Sequence, residues 1–390
     1  MSKKRIAVFF GGKSYEHDVS ILTGLQVCQV ADRTKFEIIP VYVSKTGRLF
    51  TGEWLLDTRH YPLTDYGESK CREVFIPAGD RFFGPTLAYA GLFGVRRIKF
   101  DVAFLAFHGG GGENGAWQGL FETAGIPYTG ANVKASAVYM DKALTHDVCR
   151  ELGINVLCET VVPRGADLPA EFRRAKYAAP FMAKPANLGS SVGIHTVNGE
   201  AEMRDAVANI HSLGDDAMIE PFVNNLREYN VAVTRNAAGK TVTSEIEMPT
   251  NDGMALSFAD KYLDSGRKGG MKKKKMALSA MPSDELINAR REFAPKMTAA
   301  QEKFIRGAAA KLYDALGGTG APRIDFLCDA ESGEIWLNEA NPIPGAFAFH
   351  LWARGDSKMS YQDLVSLLIE HANYEPAEVN LRTGGSVVFK

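Results

Sequence analysis

The chain has 390 residues, with 45 Lys+Arg against 46 Asp+Glu and a formal net charge of −1. Hydrophobic residues make up 45% and charged residues 23%, which excludes global disorder and fits a soluble protein of two or three domains. The near-neutral balance supplies no field to draw in nucleic acid or an anionic membrane, and no apolar run approaches the ~18 residues of a membrane span.

Five cysteines, Cys28, Cys71, Cys149, Cys158 and Cys328, form no CxxC pair and read as reduced thiols. The basic start Met1-Ser2-Lys3-Lys4-Arg5 leads into an apolar run, Ile6–Phe10, that is short for a signal-peptide core. A cytoplasmic enzyme is therefore expected.

In chain order, Arg5–Phe10 reads as a buried parallel strand. It enters the loop Gly11-Gly12-Lys13-Ser14, and a helix starts near Asp18. Phe36–Val43 is a second strand and Asp101–Phe107 another, followed at once by His108 and four glycines. Two strands ending in Gly-rich loops before helices predict an open α/β sheet, with ligands beyond the strands' carboxyl ends. Residues 50–95 lack clear periodicity and read as an insertion. Asp141–Gly153 is helical, Pro180–Lys184 a strand, Ala201–Leu213 a helix and Ala217–Glu220 a strand. Strands at Glu228–Arg235 and Thr241–Glu247 precede a polar loop over about 250–282. A long helix is expected from about Ser283 to Leu316, then strands Pro322–Cys328 and Ile335–Leu337. From Lys261 to Met276 there are seven basic residues and one acid, including the run Lys272–Lys275, which reads as a solvated charge run.

Several residue sets carry chemistry. Asp325 in one strand, with Glu339 and Asn341 just past the end of the next, offers hard oxygen ligands suited to Mg²⁺. The bland reading is polar residues at strand ends. Lys184-Pro185, followed by Gly189-Ser190-Ser191-Val192-Gly193, can close backbone N–H groups and a point charge around phosphate, or is simply a glycine-rich turn. Neither GxxxxGK[ST] nor GxGxxG after the first strand is present. Glu220 and Glu228 flank a hinge that suits adenine and ribose hydroxyls. Glu16 at a helix entry can take an ammonium group, or merely complement the helix terminus. His108 faces a ligand or belongs to its loop. Lys261-Tyr262 in the basic loop can close over a triphosphate.

Together these residues resemble the D-alanine–D-alanine ligase family of the ATP-grasp superfamily. The carrying blocks are Gly11–Ser20, His108–Gly119, Ile126–Gly130, Ala135–Lys142, Lys184–Gly193 and Arg323–Gly345. The resemblance implies an α/β ATP-grasp fold of three α/β domains: a Rossmann-like N-terminal one over 1–138, a central one over 139–227 and a C-terminal one over 228–390. It implies Lys142 and Lys184 on nucleotide phosphates, Glu220 and Glu228 on adenine and ribose, and Lys261 on the γ-phosphate. Two Mg²⁺ or Mn²⁺ ions fall to Asp325, Glu339 and Asn341. Arg323 and the Gly345 amide stabilise the tetrahedral oxyanion. Glu16, Ser190 and Tyr262 form a trio across the domains, with Glu16 on the first substrate's ammonium and His108 lining its site.

The family usually has a Ser shortly after Pro-Gly that binds the second substrate's carboxylate. Here that position is His350, expected at the mouth of the second-substrate site as an imidazolium or packed beside Phe349 and Trp352. The implied activity is ATP-dependent joining of two D-alanines for peptidoglycan precursors, through an acyl phosphate. Rival readings are the same chemistry with a D-hydroxy acid or another amino acid as second substrate, or a catalytically silent nucleotide-binding relative. Depsipeptide-forming relatives tend to carry His at the Tyr262 position, which favours the amine. Partners are small molecules, with a homodimer common in the family.

Overall fold

The first strand, β1 (Lys4–Gly11), is buried from Ile6 to Gly11. A strand apolar on both faces must be covered on both, which suits a parallel sheet. In the computed structural model, β1 pairs in parallel with β2 (Phe36–Val43). The model describes residues 2–77, 84–169, 172, 180–189, 192–250, 291–356 and 358–372. The short strands β3 (Leu49–Thr51) and β4 (Arg72–Val74) continue the sheet antiparallel. They correct the expected insertion, because part of that region is sheet edge. A hairpin of β5 (Thr86–Gly91) and β6 (Gly94–Lys99) follows. The strand β7 (Val102–Leu105) then pairs in parallel with the other side of β1.

Helix α1 (His17–Val30) lies on β1. Gly24 allows this closeness: a Cβ there would stand 2.4 Å from the Phe10 side chain. A mid-helix glycine costs about 1 kcal/mol of helix propensity, so contact with the sheet outweighs propensity here.

The second sheet has the order β10-β9-β11-β8, all antiparallel. Its strands are β8 (Thr160–Val162), β9 (Phe181–Pro185), β10 (His195–Val197) and β11 (Ala217–Pro221). Lys184 pairs with Met218, two residues before Glu220, so Lys184 and Glu220 share a face as diagonal neighbours.

The third sheet runs β14-β13-β12-β15-β16. Its strands are β12 (Leu226–Arg235), β13 (Thr241–Pro249), β14 (Arg291–Phe293), β15 (Arg323–Asp329) and β16 (Ile335–Asn341). Behind it lies the helix Ala299–Ala315, whose Ile305, Ala309 and Leu312 are buried with Val231, Val233, Ile324 and Phe326. The sequence reading started this helix near Ser283. Instead, Arg291–Phe293 is an edge strand and the helix begins at a capping box between Thr298 and Gln301. Glu339 and Asn341, expected past a strand end, lie inside β16. Across the ladder Asp325 faces Glu339 and Arg323 faces Asn341, with a bulge after Asp325.

After β16 the chain returns to the first sheet. Phe347, Leu351, Trp352, Leu364 and Leu368 are buried in the same core as β1 and β7. Among the described residues no helix is long and apolar enough to cross a membrane, and none of the five cysteines is in a disulfide.

Candidate active site

Side chains of the second and third sheets, and of the helix before them, place cations against carboxylates. Lys184 Nζ is 2.7 Å from Glu220 Oε2 and donates to Asn338 Oδ1 at 2.9 Å. The other Glu220 oxygen is buried and accepts no hydrogen bond among the described residues. Lys142 opens the helix Lys142–Glu151, where the Asp141 side chain caps it at the Leu144 N–H. Its ammonium donates to the Leu188 carbonyl at 2.7 Å and lies 3.4 Å from Glu339 Oε2. One turn along this helix, buried His146 places Nδ1 3.1 Å from Glu159 and Nε2 2.9 Å from the Asn338 carbonyl. Both lysines are thereby tied to β16.

On one face of the β15–β16 ladder, Arg323 donates through Nε and Nη2 to the two Asp325 oxygens, each at 2.7 Å. Asn341 Nδ2 donates to Asp325 at 3.1 Å. Two carboxylates and an amide are hard oxygen donors, and they suit Mg²⁺ or Mn²⁺. Among the described residues no cluster of three or more His, Cys, Asp or Glu forms. A cation here therefore relies on Asn341 and on oxygens that a ligand brings.

At the entry of α1, Glu16 projects between two loops. A Cβ on Gly109, which has φ +71°, would stand 2.7 Å from Glu16 Oε2, and one on Gly189 would stand 3.7 Å away. Glycine at 109 thus supplies both the backbone conformation and the space for this carboxylate. His108 is buried, with Nε2 2.8 Å from Thr23 Oγ1. Burial pushes it down to about 4, so its ring is neutral at physiological pH.

One cleft is lined by Glu16, His108, Lys142, Lys184 and Glu228, together with Arg323, Asp325, Glu339, Asn341 and Gly345. Glu220 sits behind Lys184. Ser190, Lys261, Tyr262 and Lys272–Lys275 lie outside the described residues.

His350 does not line this cleft. It is buried, with Nε2 3.0 Å from Glu247 Oε2. Glu247 also meets Arg291 at 3.1 Å and accepts from Asn230 at 3.2 Å. Burial opposes ionisation of Glu247, but His350, Arg291 and Arg323 outweigh it and hold the carboxyl at about 2. Burial likewise lowers His350, against the pull of Glu247. The nitrogen expected to face a substrate carboxylate faces a carboxylate of the protein.

Sequence reasoning assigned no role to Glu113, Thr23 or Glu247. Glu113 also lines the cleft. It accepts from the Gly109 N–H and, at 3.1 Å, from the Ile343 N–H. Burial first, and the charge of Glu16 next, push it up to about 8. A charged residue directly after four glycines was the visible signal.

Models of the D-ala D-ala ligase N-terminus and C-terminus match residues 5–131 and 150–370. A D-alanine–D-alanine ligase of Thermosipho melanesiensis is 32% identical over 367 residues, covering 93% of this chain and 92% of the relative. One from Chlorobium limicola is 31% identical, covering 96% and 99%. The solved D-alanine–D-alanine ligase from Coxiella burnetii superposes with a TM-score of 0.75 at 26% identity, covering 95% and 94%. With both family models matched and relatives this similar over nearly their whole length, the chain belongs to the D-alanine–D-alanine ligase family of ATP-grasp enzymes.

Proposed function

We propose that this chain joins two D-alanine molecules with hydrolysis of ATP to ADP and phosphate, supplying the dipeptide for peptidoglycan precursors. The observation that carries the reading is the convergence of Lys142, Lys184, Arg323, Asp325, Glu339 and Asn341 on one cleft. A free carboxylate is a poor acyl donor, so ligation requires its activation as an acyl phosphate before an amine displaces phosphate.

In this reading Lys142 and Lys184 bind the nucleotide phosphates as point charges. Glu220, whose second oxygen accepts no hydrogen bond among the described residues, and Glu228 take the nucleoside. Glu16 binds the first substrate's ammonium beside His108. Arg323 and the Gly345 N–H stabilise the oxyanion of the tetrahedral state. A divalent cation held by Asp325, Glu339 and Asn341 would neutralise charge on the transferred phosphoryl group. Ser190, Lys261 and Tyr262 complete the set by resemblance. The use of ATP points to the cytoplasm.

The test is phosphate release with Mg-ATP over a panel of D- and L-amino acids and D-hydroxy acids. D-alanine alone should support turnover and give the dipeptide. Turnover confined to a mixture of D-alanine with another acceptor would replace the second substrate. No turnover with any pair would refute the reading.

A further inference from the structure

The segment that carries Gly345 is held on both sides by side chains from the first sheet's part of the chain. Upstream, the Ile343 N–H donates to Glu113 Oε1 at 3.1 Å. Downstream, the Ala346 N–H donates to Thr23 Oγ1 at 3.3 Å. The same hydroxyl lies 2.8 Å from His108 Nε2. Thr23, His108 and Glu113 are all buried. The two clamping bonds span 230 and 323 residues of chain, so no local preference sets them.

The turn they hold is strained. Ala346, Phe347 and Ala348 have φ of 48°, 55° and 49°. Three successive non-glycine residues in the left-handed region each carry a steric penalty, and such backbone persists only where its surroundings over-determine it. Phe347 supplies part of that hold, with its ring edge-on to Phe104 at 5.3 Å.

Gly345 lies between the two clamps. The geometry points to Thr23 and Glu113 as positioning residues that aim the Gly345 N–H at the acyl centre. This rests on the reading of Gly345 and Arg323 as oxyanion donors. An oxyanion donor acts only when it sits at hydrogen-bond distance from the developing charge, so a loosened turn loses rate before it loses ground-state binding. His108 Nε2, 2.8 Å from Thr23 Oγ1, ties the first-substrate histidine to the downstream clamp.

The experiment compares Thr23→Val, Thr23→Ser and Glu113→Gln with the unaltered enzyme. It reads kcat, the KM for ATP and for each D-alanine, and inhibition by a tetrahedral phosphinate dipeptide analogue. Arg323→Lys tests the oxyanion reading itself, and circular dichroism checks folding. Thr23→Val should lower kcat and weaken the phosphinate, each by about tenfold, with the ATP KM within about twofold. Thr23→Ser restores the acceptor and should recover both. Glu113→Gln places an amide N–H against one of two backbone N–H groups and should move both readouts the same way; it carries the test if Thr23→Val does not fold. Unchanged phosphinate binding in Thr23→Val and Glu113→Gln, alongside a weakened Arg323→Lys, would sink the clamp and leave the oxyanion reading standing. Unchanged phosphinate binding in Arg323→Lys would bring down both.

Discussion

Deleting the Glu220 carboxylate probes the buried Lys184–Glu220 ion pair. Lys184 Nζ has Glu220 Oε2 at 2.7 Å and Asn338 Oδ1 at 2.9 Å, and the paired side chains are only 6% and 2% exposed. In Glu220→Ala the ammonium keeps one neutral acceptor and no counter-charge. Removing one partner of a buried pair costs about 3–5 kcal/mol, and the surviving Asn338 bond places this case near 3. At about 2–4 °C per kcal/mol for domains of this size, the melting midpoint should fall by roughly 6–12 °C. Combining Lys184→Met with Glu220→Leu removes both charges and should recover much of that loss, since apolar replacement of a buried pair is often neutral. Turnover should stay abolished in the double variant, because Lys184 is gone. Scanning calorimetry of the three proteins, with phosphate release in parallel, separates the effects. A Glu220→Ala midpoint within about 1 °C of the parent, or a double variant less stable than the single one, would refute the reasoning.

Three further outcomes are expected. Chelation should abolish turnover, Mg²⁺ or Mn²⁺ should restore it, and Glu339→Gln should lower it by about a hundredfold or more; near-parental turnover would remove Glu339 from the cation site. Glu247 is held at about 2 against an ordinary 4.5, so its contribution to stability is present above 4.5 and lost as pH falls through about 2. His350→Ala should therefore cost about 1.5–3 kcal/mol and shift acid unfolding to higher pH, while an unmoved acid midpoint would separate His350 from Glu247. A rise in the second D-alanine KM in that variant would show that His350 also meets substrate. Glu113 is raised from 4.5 to about 8, so its share of stability is complete below 4.5 and lost as pH rises through about 8. Glu113→Gln should flatten the pH dependence of the melting midpoint between about pH 4.5 and 8; an unchanged slope would mean Glu113 does not titrate there.

The sequence was most legible where one element carries its own signal. Apolar strands such as Ile6–Phe10 and Phe36–Val43, and polar residues within strands such as Lys184 and Asp325, need no distant partner to be noticed. The strands Leu49–Thr51 and Arg72–Val74 are three residues each, too short to show an alternation. The helix expected from Ser283 was misplaced because a polar stretch hid the Thr298–Gln301 capping box. Glu247 and Glu113 were passed over for a different reason. Their partners lie 103 and 230 residues away, and no local periodicity reports an ion pair or clamp across such a span. His350 stood out as a departure from a pattern, yet its surroundings are set by β13, which no nearby residue announces.

Helix α1 also sets a length. Glu16 sits at its entry and Thr23 seven residues later, two turns along the same stripe, about 10 Å apart at 1.5 Å per residue. Ser20 lies between them and fastens the stripe to the Gly11 N–H and the Ala106 carbonyl, both at 2.8 Å. Gly24 fixes how near the rod comes to Phe10. One rigid ruler thus carries both the carboxylate proposed to meet the incoming amino acid and the hydroxyl that accepts from the Ala346 N–H beside Gly345. Neither end can be adjusted alone, because a shift of the seat at Gly24 moves both, and one inserted residue would swing one end about 100° away from the other. Any retuning of substrate size in this scaffold has to come from the loops around the rod, with the rod left as the gauge.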